Sequence, residues 1–317
     1  MPDISRRSFL KYAASLAAMM GLNRTASAEL AESLSKISAN NPAVLWLQGQ
    51  SCSGCSVSLL NSTPLGIAEI VTRKISLLFH STLSTATGYK AMEVIDKSVS
   101  AGGYILVVEG SIPTQIPEAC VVGGKNFADQ IIAAARASIA VVAVGTCATW
   151  GGIPAAEGNL TGAQSVPDFL KSAGISKPVV RIPGCPSHPD WIVGTLAFVA
   201  AFGLSKLVLD DYARPKMFFN RHIHEQCPRF ADYEREKFAG FFGDEGCLFR
   251  LGCLGPVTKA DCTFRLWNGG VNTCIKANAP CIGCSFEGFT TKRDLPLVTY
   301  GQPKSSDSDR VSNAVKK

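Results

Sequence analysis

The stretch IAVVAVGTCATWGG, residues 139–152, combines the two features that decide the fold. It begins with a continuous run of small and β-branched apolar residues, which is typical of a strand buried on both faces of a parallel sheet. The run ends at Gly145, and Cys147 follows two residues later. The stretch therefore predicts a central strand that delivers a cysteine to the edge of a sheet.

The same pattern recurs along the first two thirds of the chain. Five apolar runs, mostly closed by glycine, predict strands at 43–49, 75–80, 104–110, 139–145 and 178–184. The segments between them can form helices, most clearly at 127–138 and 190–202. Strands that alternate with helices predict a flavodoxin-like, doubly wound α/β domain around a parallel sheet.

From about residue 212 the periodicity fades, while glycine, aromatic residues and cysteines become dense. Seven of the twelve cysteines lie between residues 227 and 284. A segment with so little regular patterning needs more than a hydrophobic core, and metal clusters would supply the rest. We therefore predict a smaller, irregular and α-helical cluster-binding domain at 212–300. The signal peptide is predicted at 1–28, the α/β domain at 29–211 and a polar tail at 301–317.

Composition and charge exclude one class of partner. The chain has 317 residues, of which 46% are hydrophobic and 18% charged, as in an ordinary globular protein. Its formal net charge of +6 falls to +3, 27 basic against 24 acidic residues, once the first 28 residues are set aside. With no basic stripe and no long run of like charges, nucleic acid is not an expected partner.

The N-terminus carries a predicted export signal. A twin arginine, Arg6 and Arg7, precedes a short apolar stretch at 12–22, and small residues at 26–28 allow cleavage before Glu29. An amphipathic first helix is the alternative. The apolar stretch is too short to span a bilayer, which takes about 20 residues. We expect no transmembrane helix elsewhere, since the apolar run at 195–209 predicts a buried helix. Twin-arginine export of a folded protein favours metal centres over disulfides.

Four cysteines follow the predicted strands. Cys52 and Cys55 come after the first strand, Cys147 after the fourth and Cys185 after the fifth. Because sites in open parallel sheets form outside the carboxyl ends of strands, these thiols predict one four-thiolate site. Four separately buried thiols are the alternative. Neighbouring glycines would let backbone N–H groups approach a cluster. Cys120 lies away from a strand end, and we predict that it is not a ligand.

The second domain offers eight further ligands. They are His224, Cys227, Cys247, Cys253, Cys262, Cys274, Cys281 and Cys284. We prefer His224 to His222 because the spacing His-x-x-Cys to Cys227 suits chelation. Together with the upstream cysteines they make three sites of four, although spacing alone does not divide them. Zinc accepts the same ligands, but the long, glycine-rich spacing and the export signal favour iron–sulfur clusters.

Six motifs, in this order, resemble the small subunit of nickel–iron hydrogenases: GQSCSGCSVSLLN, VEGSIP, VGTCATWGGIPAAEGN, PGCPSHPDW, IHEQCPRF and CIGC. The resemblance covers nearly the whole mature chain, and it implies a flavodoxin-like domain, a cluster-binding domain and three iron–sulfur clusters in a row. It implies proximal-cluster ligands at Cys52, Cys55, Cys147 and Cys185. It implies distal-cluster ligands at His224, Cys227, Cys247 and Cys253, and middle-cluster ligands at Cys262, Cys281 and Cys284.

Cys274 departs from most of these hydrogenases, in which proline stands at this place and the middle cluster has three irons. Its presence in NTCIKANAPCIGC resembles the selenium-containing hydrogenases of sulfate reducers. The resemblance therefore implies three 4Fe–4S clusters, with Cys274 as the fourth ligand of the middle one. A fourth thiolate should lower the potential of that cluster. A free Cys274 beside a three-iron cluster is the alternative.

The resemblance implies an electron-transfer subunit of a periplasmic hydrogenase, with no catalytic residue of its own. A large subunit would carry the nickel–iron site, with or without selenium, and a multihaem c-type cytochrome would exchange the electrons. A partner would provide any attachment of the protein to a membrane. We expect Glu109 to face a partner, with an ordinary acid at a strand end as the alternative. His188 is a candidate for a hydrogen bond to a cluster sulfur. The cluster subunit of respiratory complex I, a zinc-binding interaction protein and a disulfide-rich secreted protein are the alternatives.

Overall fold

The computed structural model describes residues 42–62 and 75–290, together with scattered positions between 14 and 32. The predicted polar tail and most of the predicted signal peptide lie outside the described residues. Within the described part of the chain, no helix is long and apolar enough to cross a membrane.

Five parallel strands form the central sheet. In chain order they are β1 Ala43–Gln48, β2 Ser76–Phe79, β3 Ile105–Glu109, β4 Ala140–Val144 and β5 Val179–Ile182. Their spatial order is β2-β1-β3-β4-β5, with every neighbouring pair parallel. This is the order of a flavodoxin-like, doubly wound sheet, in which the chain direction reverses between β1 and β3. All five predicted strands and the predicted fold class are confirmed.

Among the described residues, six helices cover the two faces of the sheet. They are α1 Gly54–Leu60, α2 Gly88–Ala101, α3 Phe127–Ala137, α4 Gly145–Trp150, α5 Val166–Ser172 and α6 Pro189–Phe202. The predicted helices at 127–138 and 190–202 are confirmed as α3 and α6. Nine residues of α6 are buried, so the buried helix that the apolar run at 195–209 predicted is confirmed over 195–202. It ends there because Gly203 has a φ of 80°, and a 3₁₀ turn follows at Leu204–Lys206.

Short connections complete this part of the chain. A small antiparallel hairpin pairs Val121–Val122 with Lys125–Asn126. Single turns of 3₁₀ helix lie at Pro117–Ala119, Ile153–Ala155 and Leu204–Lys206.

The cysteine-rich segment contains short helical pieces joined by loops. They are α7 Lys216–Phe219, α8 Phe230–Glu234 and α9 Cys262–Arg265, with 3₁₀ turns at His224–Gln226 and Leu248–Leu251. Phe218, Phe219 and Ile275 pack into the same apolar core as Trp191 of α6. One core therefore runs from the sheet into the cysteine-rich segment, and it fixes the second set of thiols relative to the first. The domain boundary near residue 212 stays a prediction.

Candidate metal centres

The carboxyl ends of β1, β4 and β5 bring four thiols together, which we call the proximal group: Cys52, Cys55, Cys147 and Cys185. Burial, together with the nearby charges of Cys185 and Cys52, raises the pKa of Cys147 to about 12. Burial also raises the pKa of Cys55 well above its ordinary value, with contributions from Glu109, Cys147 and Cys185. Such mutual effects require that the four thiols lie close together.

Glycine backbone packs directly against these sulfurs. A Cβ atom added at Gly145 would lie 2.4 Å from Sγ of Cys55, and one at Gly152 would lie 2.7 Å from Sγ of Cys147. Both glycines have positive φ, 84° and 59°, which side-chain-bearing residues rarely adopt. The absence of side chains here lets the backbone approach the thiols closely.

Glu109, at the end of β3, turns into the protein beside the proximal group. Its carboxylate accepts hydrogen bonds from the backbone N–H of Cys55 (3.1 Å) and Ser56 (3.2 Å). It also accepts bonds from Ser56 Oγ (2.5 Å) and Trp46 Nε1 (3.3 Å), and it is 1% exposed. The expectation that Glu109 faces a partner is therefore wrong. Its charge instead stabilises the N-terminus of α1, which carries Cys55.

His188 does not have a ring nitrogen free for a cluster sulfur. Nδ1 accepts a hydrogen bond from the backbone N–H of Asp190 (3.1 Å), and Nε2 lies 2.8 Å from the carbonyl oxygen of Leu266. Because Nδ1 accepts, Nε2 carries the proton and donates it to Leu266. The prediction for His188 is wrong, since its ring caps α6 and joins that helix to the cysteine-rich segment.

A second set of predicted ligands, the distal group, lines one cavity: His224, Cys227, Cys247 and Cys253. Burial raises the pKa of Cys227, and the charges of Cys253 and Cys247 raise it further. His222 points elsewhere, because its Nδ1 lies 3.0 Å from Oε1 of Glu225. The structure thus places His224, and not His222, with the three cysteines.

The remaining four thiols form the middle group: Cys262, Cys274, Cys281 and Cys284. Burial raises the pKa of Cys262 well above its ordinary value, and the charges of Cys284, Cys281 and Cys274 add to the rise. Burial likewise raises the pKa of Cys284 to about 12, with Cys274 again contributing. Cys274 therefore lies close to its three neighbours, although its own residue is exposed.

The three groups follow one another through the molecule. The charge of Cys185 raises the pKa of Cys284, after the larger effect of burial, so the proximal and middle groups are neighbours. On the other side, the backbone N–H of Cys281 donates to Sγ of Cys253 at 3.4 Å, which joins the middle and distal groups. Across the described residues, no three acidic, histidine or cysteine side chains converge as closely as a single metal ion requires.

Two residues at the proximal group were not predicted from the sequence. Thr146 donates its hydroxyl to the carbonyl oxygen of Cys284 and accepts a bond from the N–H of Gly184 (2.9 Å), so it joins two groups. Ser187 donates its N–H to Sγ of Cys55 at 3.4 Å. Their only signal in the sequence is adjacency to a cysteine. Cys120, in contrast, packs against the core that contains α3, apart from the three groups.

Three family models match the chain. The model for the C-terminal region of the NiFe/NiFeSe hydrogenase small subunit matches residues 219–296, and the model for the 20 kDa subunit of NADH ubiquinone oxidoreductase matches residues 52–199. The twin-arginine translocation signal model matches residues 3–22, which confirms the predicted export signal.

Several relatives match over most of the chain. The periplasmic NiFeSe hydrogenase small subunit of Desulfomicrobium baculatum is 42% identical over 89% of this chain and 95% of its own length. The hydrogenase-2 small chain of Escherichia coli K12 is 40% identical over 96% of this chain and 84% of its own length. The structure of the oxidised NiFeSe hydrogenase of Desulfovibrio vulgaris Hildenborough has a TM-score of 0.76 at 45% identity, covering 80% of this chain and 95% of that one.

A parallel sheet with thiols at its carboxyl edge, joined to a cysteine-rich segment, is the architecture of an iron–sulfur subunit of an oxidoreductase. The chain belongs to the family of NiFe/NiFeSe hydrogenase small subunits. The match of residues 52–199 to the 20 kDa subunit reflects the sheet domain, whereas the C-terminal match distinguishes the hydrogenase family. Membership in this family excludes the zinc-binding and disulfide-rich alternatives.

Proposed function

We propose that this chain is the electron-transfer subunit of a periplasmic NiFe or NiFeSe hydrogenase and holds three 4Fe–4S clusters. The observation that carries the proposal is the serial order of the proximal, middle and distal groups. Cys185 neighbours Cys284 at one junction, and Cys253 neighbours Cys281 at the other. A series of closely spaced redox centres is what an electron relay requires.

Each group would hold one cluster. The proximal group supplies Cys52, Cys55, Cys147 and Cys185. The middle group supplies Cys262, Cys274, Cys281 and Cys284. The distal group supplies His224, Cys227, Cys247 and Cys253.

The donor set fits iron–sulfur clusters chemically. Soft thiolates are the ligands of such clusters, and a cationic iron core offsets the burial that otherwise holds the pKa of Cys55 and Cys262 high. A zinc ion would instead draw its sulfur ligands to about 2.3 Å from one centre. Thiols that lie near one another without such convergence favour a larger group.

Residues of this chain influence the reduction potentials of the clusters. Bound clusters supply single-electron transfer between a nickel–iron site on the large subunit and an external acceptor. The neutral imidazole of His224 replaces one anionic thiolate in the distal group, which favours a higher potential there. The thiol of Cys274 adds negative charge to the middle group, which favours a lower potential.

The partners follow from the family. A relative named as a periplasmic NiFeSe hydrogenase small subunit supports a large subunit with a nickel–iron site, with or without selenium, and a periplasmic location. The export signal at residues 3–22 supports the same location. We propose a multihaem c-type cytochrome as the acceptor during reversible hydrogen oxidation, and membrane association only through a partner.

The test is the iron and acid-labile sulfide content of the anaerobically purified complex. We expect about twelve irons and about twelve sulfides per chain, besides the iron of the nickel site, because each cluster has four of each. Little iron with stoichiometric zinc would contradict the proposal. The same sample also gives the ratio of large to small subunit.

The variant Cys274→Pro tests the middle cluster. Removal of one thiolate should release one iron, so that about eleven irons remain and the oxidised protein shows the EPR signal of a three-iron cluster. Cys120→Ala is the matched control, because Cys120 lies outside the three groups, and it should leave the iron count and spectrum unchanged. An unchanged middle-cluster spectrum in Cys274→Pro would show that Cys274 is not a ligand.

A further inference from the structure

Ser187 holds a buried hydroxyl that has no hydrogen-bond partner. The residue is 0% exposed, and its Oγ is one of the few buried side-chain oxygens without a partner among the described residues. A buried hydroxyl without a partner loses the hydrogen bonds that it would make to water, which is unfavourable. Native proteins keep such groups where a ligand or a functional constraint accounts for them.

The backbone of Ser187 is fixed on both sides. Its N–H donates to Sγ of Cys55 at 3.4 Å, and its carbonyl oxygen accepts the hydroxyl of Ser58 at 2.6 Å. A Cβ added at Gly184 would lie 2.7 Å from the Cα of Ser187, so the preceding turn packs tightly around it. These contacts hold the backbone of Ser187 against Cys55 of the proximal group, and the hydroxyl is attached to that backbone by a single carbon.

Other polar side chains around α1 and α6 are already engaged. The hydroxyl of Ser56 donates to Glu109, that of Ser58 donates to Ser187, and both ring nitrogens of His188 have partners. Ser187 therefore offers an O–H donor beside the proximal group that the protein itself does not use. What the protein lacks at this place is an acceptor.

We propose that the Ser187 hydroxyl donates a hydrogen bond to a sulfur atom of the cluster held by the proximal group, and thereby raises its reduction potential. The inference rests on the proposed function, because it requires a cluster at this group. Reduction adds negative charge to the cluster, and a nearby O–H dipole stabilises that charge. Hydrogen bonds to sulfur are one of the factors that set cluster potentials.

The test is an anaerobic redox titration of the hydrogenase complex that carries Ser187→Ala, followed by EPR. At the potential where half of the parent's proximal cluster is reduced, we expect the reduced fraction in the variant to fall severalfold. The middle and distal clusters of the same sample should titrate as in the parent. A proximal cluster that titrates as in the parent would overturn the inference.

Thr195→Val is the matched control. Thr195 is also 0% exposed and lies on the helix that follows Ser187, but its hydroxyl already donates to the carbonyl oxygen of Trp191 at 2.6 Å. Loss of this hydroxyl should not change the proximal potential. An equal fall in both variants would assign the effect to general loss of packing and overturn the role of Ser187.

A second variant covers the case in which Ser187→Ala fails to load its cluster. Ser187→Cys keeps a weaker donor of similar shape, and its proximal cluster should titrate below the parent. A value equal to the parent's would again overturn the inference. If the parent complex itself shows no proximal cluster, the proposed function fails instead, so the two failures can be told apart.

Discussion

A chain of hydrogen bonds at the start of α1 stabilises the negative charge of the Glu109 carboxylate, next to the proximal group. Nδ1 of His80 accepts a bond from the N–H of Thr82 (3.1 Å), so its Nε2 carries the proton and donates to Ser56 Oγ at 3.3 Å. Ser56 in turn donates to Glu109, as does Trp46, whose ring lies 4.8 Å from that of His80. All donors point toward the carboxylate of Glu109.

This arrangement requires a neutral His80 and makes stability depend on pH. Burial lowers the pKa of His80 to about 4, whereas an unfolded histidine has a pKa of about 6.5. Between these values the unfolded chain binds a proton that the folded chain excludes, so stability falls as pH drops from about 6.5 toward 4. At pH 5 the loss should be about 2 kcal/mol. Thermal unfolding of the parent and of His80→Gln at pH 7.5 and pH 5 measures it.

The pH response of His80→Gln tests whether His80 causes this loss of stability. His80→Gln cannot take up the proton, so its unfolding temperature should fall less between the two pH values than that of the parent. His222→Gln is the control, since the side chain of His222 is 35% exposed and lies outside this set of hydrogen bonds. Equal pH responses in the parent and in His80→Gln would contradict the role of His80.

At the scale of elements, a buried ion cluster joins α6 to α9. Arg265 of α9 donates to Asp261 through Nε at 3.0 Å and to Asp190 of α6 through a terminal nitrogen at 3.2 Å. Trp191 of α6 also donates to Asp261, at 2.7 Å. The side chains of this ion cluster are only 10–15% exposed. Because α9 begins at Cys262, the ion cluster holds a middle-group ligand against the sheet domain.

Arg265→Met should therefore destabilise the chain strongly. It leaves Asp190 and Asp261 without their cation in a largely buried place, and breaking such a pair costs about 3 kcal/mol or more. We expect a fall of several degrees in the unfolding temperature and a selective loss of the middle-cluster EPR signal. Lys97→Met is the control, because the pair of Lys97 with Glu93 is exposed and contributes little. Similar unfolding temperatures for the two variants would contradict this role of Arg265.

The strands of the sheet could be predicted from sequence because their signal is local. Apolar runs such as 140–144 are buried along their whole length, so every residue in them carries the same information. The position of Cys147 was equally predictable, since it follows the end of β4 by three residues, although it lies in α4 and not in a loop. The pairing of Asp190 with Arg265 had no such signal, because it depends on where two distant helices meet.

At the scale of the whole molecule, chemistry near the thiols was harder to predict than the thiols themselves. Glu109 and His188 stand beside predicted ligands, which favoured roles toward a partner and a cluster. The structure instead uses both for internal hydrogen bonds, with α1 and with Leu266. Side-chain direction depends on three-dimensional neighbours that adjacency in sequence does not reveal. Ser187 is the opposite case. Its sequence context predicts no role toward a cluster, and only its unpaired hydroxyl in the structure indicates one.

The export signal and the buried thiols together make a prediction for the whole protein. Twelve cysteines are all free in the structure, which suits folding around clusters in a reducing compartment before transport. The twin-arginine signal at 3–22 provides a route for a folded protein. The double substitution Arg6→Lys and Arg7→Lys removes the planar guanidinium groups that lysine does not replace. We expect the complex to remain in the cytoplasm with its iron content unchanged.

Cell fractionation followed by iron analysis measures this outcome. Arg24→Lys is the control, because it alters a basic residue of the same N-terminal segment outside the arginine pair and should leave export intact. Cytoplasmic protein that contains all of its iron would show that the clusters are inserted before export. Normal export of the Arg6→Lys, Arg7→Lys variant would contradict the dependence on the arginine pair. Cytoplasmic protein without iron would contradict cluster insertion before transport.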